Sequence, residues 1–179
     1  MVRVTISGPA GSGTSTLSRT LMERYGYSHL NGGDVFRQEA ERRGLSLRAF
    51  GKLCDDDPSV DKILDNHLRE SMQAIDGPDI IESRLSGWWA HQLKISIPRI
   101  CLVASVDARA RRLSEREGTD LELARRLAME RDARDHRRLQ VLYDIDLTSS
   151  EPYTLVLDTD SLSPKEVTEL IIEHMELVV

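Results

Sequence analysis

Apolar positions along the chain alternate between two rhythms. Val2 to Ser7 is short and rich in β-branched residues, and Gly8 and Pro9 cut it off, which predicts a buried strand running into a tight loop. Leu17, Leu21 and Met22 then recur at helical spacing, so Ser15 to Tyr25 reads as a helix that Gly26 ends. Ser28 to Leu30 predicts a second short strand, and Asn31-Gly32-Gly33-Asp34 a loop that caps a helix from Val35 to about Arg43. Two more helices are predicted at Ser46 to about Leu53 and Ser59 to about Ala74, parted by an acidic run and by Pro58 at a first helical turn.

The pattern then repeats. Asp79 to Glu82 predicts a strand, followed by a polar loop carrying Arg84 and Gly87, and Arg99 to Ser105 predicts another strand. Asp107 to Glu117 and Asp120 to about Leu142 are strongly helical, crowded with arginine and separated by Gly118, as a hinged pair would be. Tyr153 to Leu157 supplies a last strand, and Ser163-Pro164-Lys165-Glu166 opens a closing helix. Strands alternating with helices predict an α/β fold with a largely parallel sheet of about five strands, whose ligands gather at the carboxyl ends of the strands.

Composition narrows this further. With 179 residues, 40% hydrophobic and 30% charged, the chain suits a single globular domain with its own core. The net charge of −6 disfavours coating nucleic acid or an anionic membrane, so any anion site must be local. Cys54 and Cys101 lack metal-ligand spacing, no apolar stretch approaches transmembrane length, and a reduced cytoplasmic setting and a monomer are expected.

Gly8-Pro9-Ala10-Gly11-Ser12-Gly13-Thr14-Ser15, continued by Thr16, fits the phosphate-loop pattern G-x-x-x-x-G-K-[ST] at both glycines and at the final hydroxyl, between a strand and a helix. Such a loop turns backbone N–H groups and a helix N-terminus toward the phosphates of ATP, and Ser15 would place a hydroxyl on Mg²⁺. Thr14 departs from the pattern. It stands where lysine ordinarily reaches the β- and γ-phosphates, so either arginines elsewhere supply the charge or the site binds nucleotide and catalyses poorly.

Beyond the loop, four segments in order carry a resemblance to the nucleoside monophosphate kinases, above all to archaeal-type cytidylate kinases. They are Gly8 to Ser15, Asn31 to Arg37, Ile81 to Trp88, and Glu130 to Arg138. The resemblance implies a P-loop NTPase-like fold with an acceptor-binding segment over about 31–75 and a lid over about 109–142. It implies phosphoryl transfer from ATP, with Mg²⁺, to CMP and dCMP. Arg37 and Arg84 would hold the acceptor phosphate, Glu82 would serve Mg²⁺, Arg131 and Arg138 would touch phosphates, and Asp135 the acceptor's sugar or base. Ser83 stands where the family more often has glycine. Arg131, Asp135 and Arg138 share one helix face by spacing, which an ordinary ion-paired surface would also do. Arg112, Arg116 or Arg131 would take over from the missing lysine on lid closure. Asp57, Asp61 and Asp65 lie four apart; Asp61 is the base-reading candidate and Asp57 also fits a helix cap. Gly87 is placed with the acceptor site, and Trp88 and Trp89 either wall its pocket or pack. UMP or another small acceptor, or a non-catalytic nucleotide-binding regulator, are the competing functions.

Overall fold

A computed structural model describes residues 1–178. Strands β1 (Val4–Ser7), β2 (His29–Asn31), β3 (Ile80–Glu82), β4 (Arg99–Val103) and β5 (Leu155–Asp158) form one sheet in the order β2-β3-β1-β4-β5, with every pairing parallel. Eight helices are present among the described residues: α1 (Thr14–Tyr25), α2 (Gly32–Arg42), α3 (Leu47–Asp56), α4 (Pro58–Gln73), α5 (Ser86–Gln92), α6 (Val106–Glu117), α7 (Leu121–Tyr143) and α8 (Pro164–Val178). None is long and apolar enough to cross a membrane.

The sheet is covered on both faces, as a parallel sheet requires. Val4, Ile6, Ile80, Ile100 and Leu102 pack with Leu17 and Leu21 of α1 and Val167, Ile171 and Ile172 of α8. Ile81, Leu85, Trp89 and Ala90 pack with Leu68 and Met72 of α4 and Leu139 of α7 in a second cluster. Side chains of this size, fully buried, contribute about 1.5–3 kcal/mol each, so these clusters hold the strand ends in place. Helices α2 to α4 build a small core of their own from Ala40, Phe50, Cys54 and Val60.

Caps set several element ends. The Asn31 side chain accepts from the Gly33 and Asp34 amides, so α2 begins at Gly32 and the expected four-residue loop is instead the cap and first turn. Asp57 accepts from the Ser59 amide ahead of Pro58, which is the capping role. The polar loop expected after β3 is shorter than its sequence suggests. Ser86 to Gln92 is a helix, because Trp89 and Ala90 are drawn into the second cluster.

Candidate active site

A cleft of about 870 Å³ opens at the carboxyl ends of β1, β2 and β3. Gly8 to Thr16 form one part of its lining, Arg37, Asp61 and Asp65 another, and Arg84, Arg131, Asp135 and Arg138 a third. The volume is that of a site for a ligand of drug size or larger.

The loop wall is built by close backbone approach. A Cβ on Gly8 would lie 2.5 Å from the Leu102 carbonyl oxygen, and Gly13, at φ 104°, occupies the left-handed region as it hands the chain to α1. Two arginines of α6 brace the loop from outside. Arg109, only 3% exposed, donates to the Ala10 carbonyl, and Arg112 donates to the Gly11 carbonyl at 3.2 Å and to Thr159.

Glu82, at the end of β3, is 5% exposed. It accepts from Ser15 Oγ at 2.7 Å, Ser18 Oγ at 3.0 Å and His29 Nε2 at 3.0 Å. Burial alone would raise its pKa, but donors from His29, Ser15, Thr14 and Ser18 outweigh that and hold the carboxyl below its ordinary range. It stays ionised. Because Ser15 gives its hydroxyl proton to Glu82, the oxygen's lone pairs remain for a cation. One hydroxyl and one carboxylate beside a phosphate loop fit Mg²⁺, which takes hard oxygen donors and completes its shell with phosphates and water.

Aspartates hold the arginines on the far wall. Arg84 donates to Asp135 Oδ2 at 3.0 Å and to Asp132 Oδ1 at 2.9 Å, and Asp132 in turn accepts from the buried Arg109. Arg131 and Arg138 approach Asp135 at 3.9 Å, and Arg138 Nε lies 3.4 Å from Asp61 Oδ2. These last contacts are wide. Asp61 Oδ2 and Arg138 Nε are both buried without a hydrogen-bond partner, although each faces an opposite charge. Burial pushes the Asp61 carboxyl up, with Arg138 pulling the other way. Asp65 accepts from the Tyr143 hydroxyl at 2.7 Å, and burial pushes its carboxyl up to about 6.

The structure thus brings Ser15, Glu82, Arg37, Asp61, Arg84, Arg131, Asp135 and Arg138 to one cleft from five separate stretches of sequence. Arg37 is more than half exposed and paired with Asp34 in the same helix. Gly87, expected with the acceptor site, is not among the residues that line the cleft. Its amide donates to Ser7 Oγ, and a Cβ there would meet the Tyr153 ring at 2.3 Å, so the glycine serves packing of α5 on the sheet. Trp89 is fully buried core, and Trp88 is partly buried against the same cluster. Arg112 and Arg116 also line the cleft. His29, Ser18, Asp132 and Arg109 were not foreseen. Ser18 was readable, three residues after Ser15 on one helix face, whereas His29 meets Glu82 only through strand pairing.

Residues 3–161 match the cytidylate kinase-like family. A cytidylate kinase of Methanospirillum hungatei is 41% identical over 95% of this chain and 94% of its own. Those of Halobacterium salinarum and Pyrococcus horikoshii are 39% and 36% identical, covering 97% and 98% of this chain and 88% and 90% of theirs. Among solved structures, a shikimate kinase from Bacteroides thetaiotaomicron superposes with a TM-score of 0.61 at 14% identity, over 99% of this chain and 98% of its own. A gluconokinase from Sinorhizobium meliloti gives 0.60 at 17%, over 99% and 93%. These structural likenesses show a shared fold, and the sequence match is finer: the chain belongs to the cytidylate kinase-like family.

Proposed function

We infer that the protein is a cytidylate kinase, transferring the γ-phosphoryl group of ATP to CMP, with dCMP as a second acceptor. The observation that carries this is the lining of one cleft: it holds a phosphate loop and, in addition, four arginines, Arg37, Arg84, Arg131 and Arg138. A single triphosphate would not need the second cationic wall. Its relatives named cytidylate kinase supply the acceptor.

An acceptor phosphate oxygen attacks the γ-phosphorus, the bond to the β–γ bridging oxygen breaks, and ADP leaves. No general base is required, since the attacking oxygen is already ionised. The chain's work is to place two polyanions in line and screen their charge. Arg84, fixed between Asp132 and Asp135, is the best-placed cation to face both phosphates. Ser15 and Glu82 would hold Mg²⁺, which would supply positive charge to offset that of the ATP phosphates. Thr14 leaves a cation missing at the loop, and Arg112, Arg116 or Arg131 supplies it.

Both ends of the expected lid are anchored. Ala110 is buried near one end, and Leu139 sits in the second core cluster near the other. The moving part is therefore shorter than residues 109–142 and centred on the α6–α7 turn at Gly118, with α2 to α4 as the acceptor-binding segment. Its closure excludes water, so that transfer outruns hydrolysis.

The test is ADP release with Mg²⁺-ATP and, in turn, CMP, dCMP, UMP, AMP and GMP. Turnover confined to CMP and dCMP is expected. Preference for UMP would reassign the acceptor, and ATP binding with no acceptor phosphorylated would make this a nucleotide-binding regulator.

A further inference from the structure

We propose that His29, supported by Ser18, is the positioning residue of the metal site: it fixes the Glu82 carboxylate so that Ser15 presents its lone pairs to Mg²⁺. The inference rests on the reading of Ser15 and Glu82 as the metal-holding pair, and goes beyond it by naming what keeps that pair in register.

A glutamate at a strand end can rotate about three side-chain bonds. Held by one hydroxyl, Glu82 could swing and break its hydrogen bond from Ser15. Three donors prevent this. Ser15 binds Oε1, while Ser18 Oγ and His29 Nε2 both bind Oε2, each at 3.0 Å, so the two oxygens are assigned to different partners and the carboxylate plane is fixed. An ionised carboxylate only accepts, so Nε2 of His29 carries the proton in this contact. The donors also come from different elements. Ser15 and Ser18 lie on α1 and His29 on β2, whose pairing with β3 sets His29 beside Ile80 and Asn31 beside Glu82. His29 and Asn31 are two residues apart and so lie on one face of the strand. His29 therefore ties the metal site to the edge strand of the sheet, while Asn31 caps the helix of the acceptor segment.

The chemical consequence concerns the serine. With its proton committed to Oε1, Ser15 Oγ has only lone pairs left to face the phosphate side. If Glu82 rotates, the hydroxyl proton is released to bond a phosphate oxygen, and the oxygen ceases to be a good metal ligand. Groups that orient a metal ligand in this way are worth about 10- to 100-fold in metal affinity.

The experiment is Mn²⁺ binding followed by electron paramagnetic resonance, with a non-hydrolysable ATP analogue present, on the parent protein and His29→Ala, His29→Gln, Ser18→Ala and Glu82→Gln. Gln places an amide N–H near the position of Nε2 and serves as the conservative rescue. We expect about tenfold weaker Mn²⁺ binding in His29→Ala, a smaller loss in Ser18→Ala, and recovery to within about threefold in His29→Gln, with analogue affinity in the absence of metal unchanged throughout. In turnover, His29→Ala should raise the Mg²⁺ concentration for half-maximal rate while leaving the KM for CMP alone. If Glu82→Gln weakens Mn²⁺ binding and His29→Ala does not, the positioning role is overturned and the metal-site reading stands. If neither affects Mn²⁺, the metal-site reading itself falls. Equal loss in His29→Ala and His29→Gln would also overturn the proposal, since it would mark a packing requirement in place of a donor.

Discussion

The two walls of the cleft are built on opposite plans. On the loop side, Glu82 is held by three donors at 2.7–3.0 Å, and Arg109 and Arg112 hold loop carbonyls. On the far side, Arg131 and Arg138 stand 3.4–3.9 Å from their aspartates, and Asp61 and Arg138 each keep a buried polar atom without a hydrogen bond. The first wall is finished before any ligand arrives. The second holds its cations near counter-charges that a phosphate can replace, which keeps them ionised and gathered without tying them down. Preorganised charge on one wall and exchangeable charge on the other suit a reaction that must close around two anions.

Arg84 belongs to both plans, and removing it breaks the comparison most severely. Arg84→Ala leaves Asp132 and Asp135 facing the cleft, and should lower kcat for CMP about 10³-fold while ATP affinity moves by less than threefold. Steady-state kinetics and ATP titration check this, with Arg84→Lys recovering only a small part because it lacks the bidentate fork.

Gly87→Ala tests the claim that this glycine serves packing and not the acceptor. Its new methyl meets the Tyr153 ring, so a loss of about 2 kcal/mol is expected in urea unfolding. Below the transition, the KM for CMP should match the parent. A raised KM without loss of stability would return Gly87 to the acceptor site.

Asp61→Ala addresses the unfinished wall directly. Losing the carboxylate beside Arg138 should raise the KM for CMP about tenfold and leave the KM for ATP unchanged. Equal effects on both substrates would mean that the two walls are not independent.

The smallest effect concerns Asp65. Its carboxyl, near 3.8 in the unfolded chain and about 6 when folded, binds its proton more tightly in the native state. Stability therefore falls as pH rises from about 4 to about 6, and the full cost of ionising the buried group applies above that window. Asp65→Asn, which still accepts from Tyr143, should be more stable than the parent by about 1 kcal/mol at pH 7.5, a gain that disappears near pH 4. Urea unfolding at the two pH values reads it.

Much of this was legible in the chain. The alternation of strand and helix signals placed all five strands, and the loop from Gly8 to Ser15 could be assigned because glycine spacing reports backbone geometry directly. What escaped depended on packing between distant segments. The helix at Ser86–Gln92 looked polar because Ser86 and Gly87 lead it, yet Trp89 drives it into the core. Gly87 was placed with the acceptor site because it falls in the family-like segment Ile81 to Trp88, while its packing partner is Tyr153, far along the chain. His29 carries no local signal at all, since its partner is set by the register of β2 on β3. The arginine-rich helix gave its face by spacing, but which aspartate holds which arginine emerges only where α7 crosses the end of β3.

The account stands or falls on transfer between the two walls. Phosphorus NMR of the protein with Mg²⁺-ATP and CMP observes the products themselves. Growth of the two resonances of CDP in step with ADP, with little inorganic phosphate, is the predicted result. Release of inorganic phosphate without CDP, or an unchanged ATP spectrum, would contradict it.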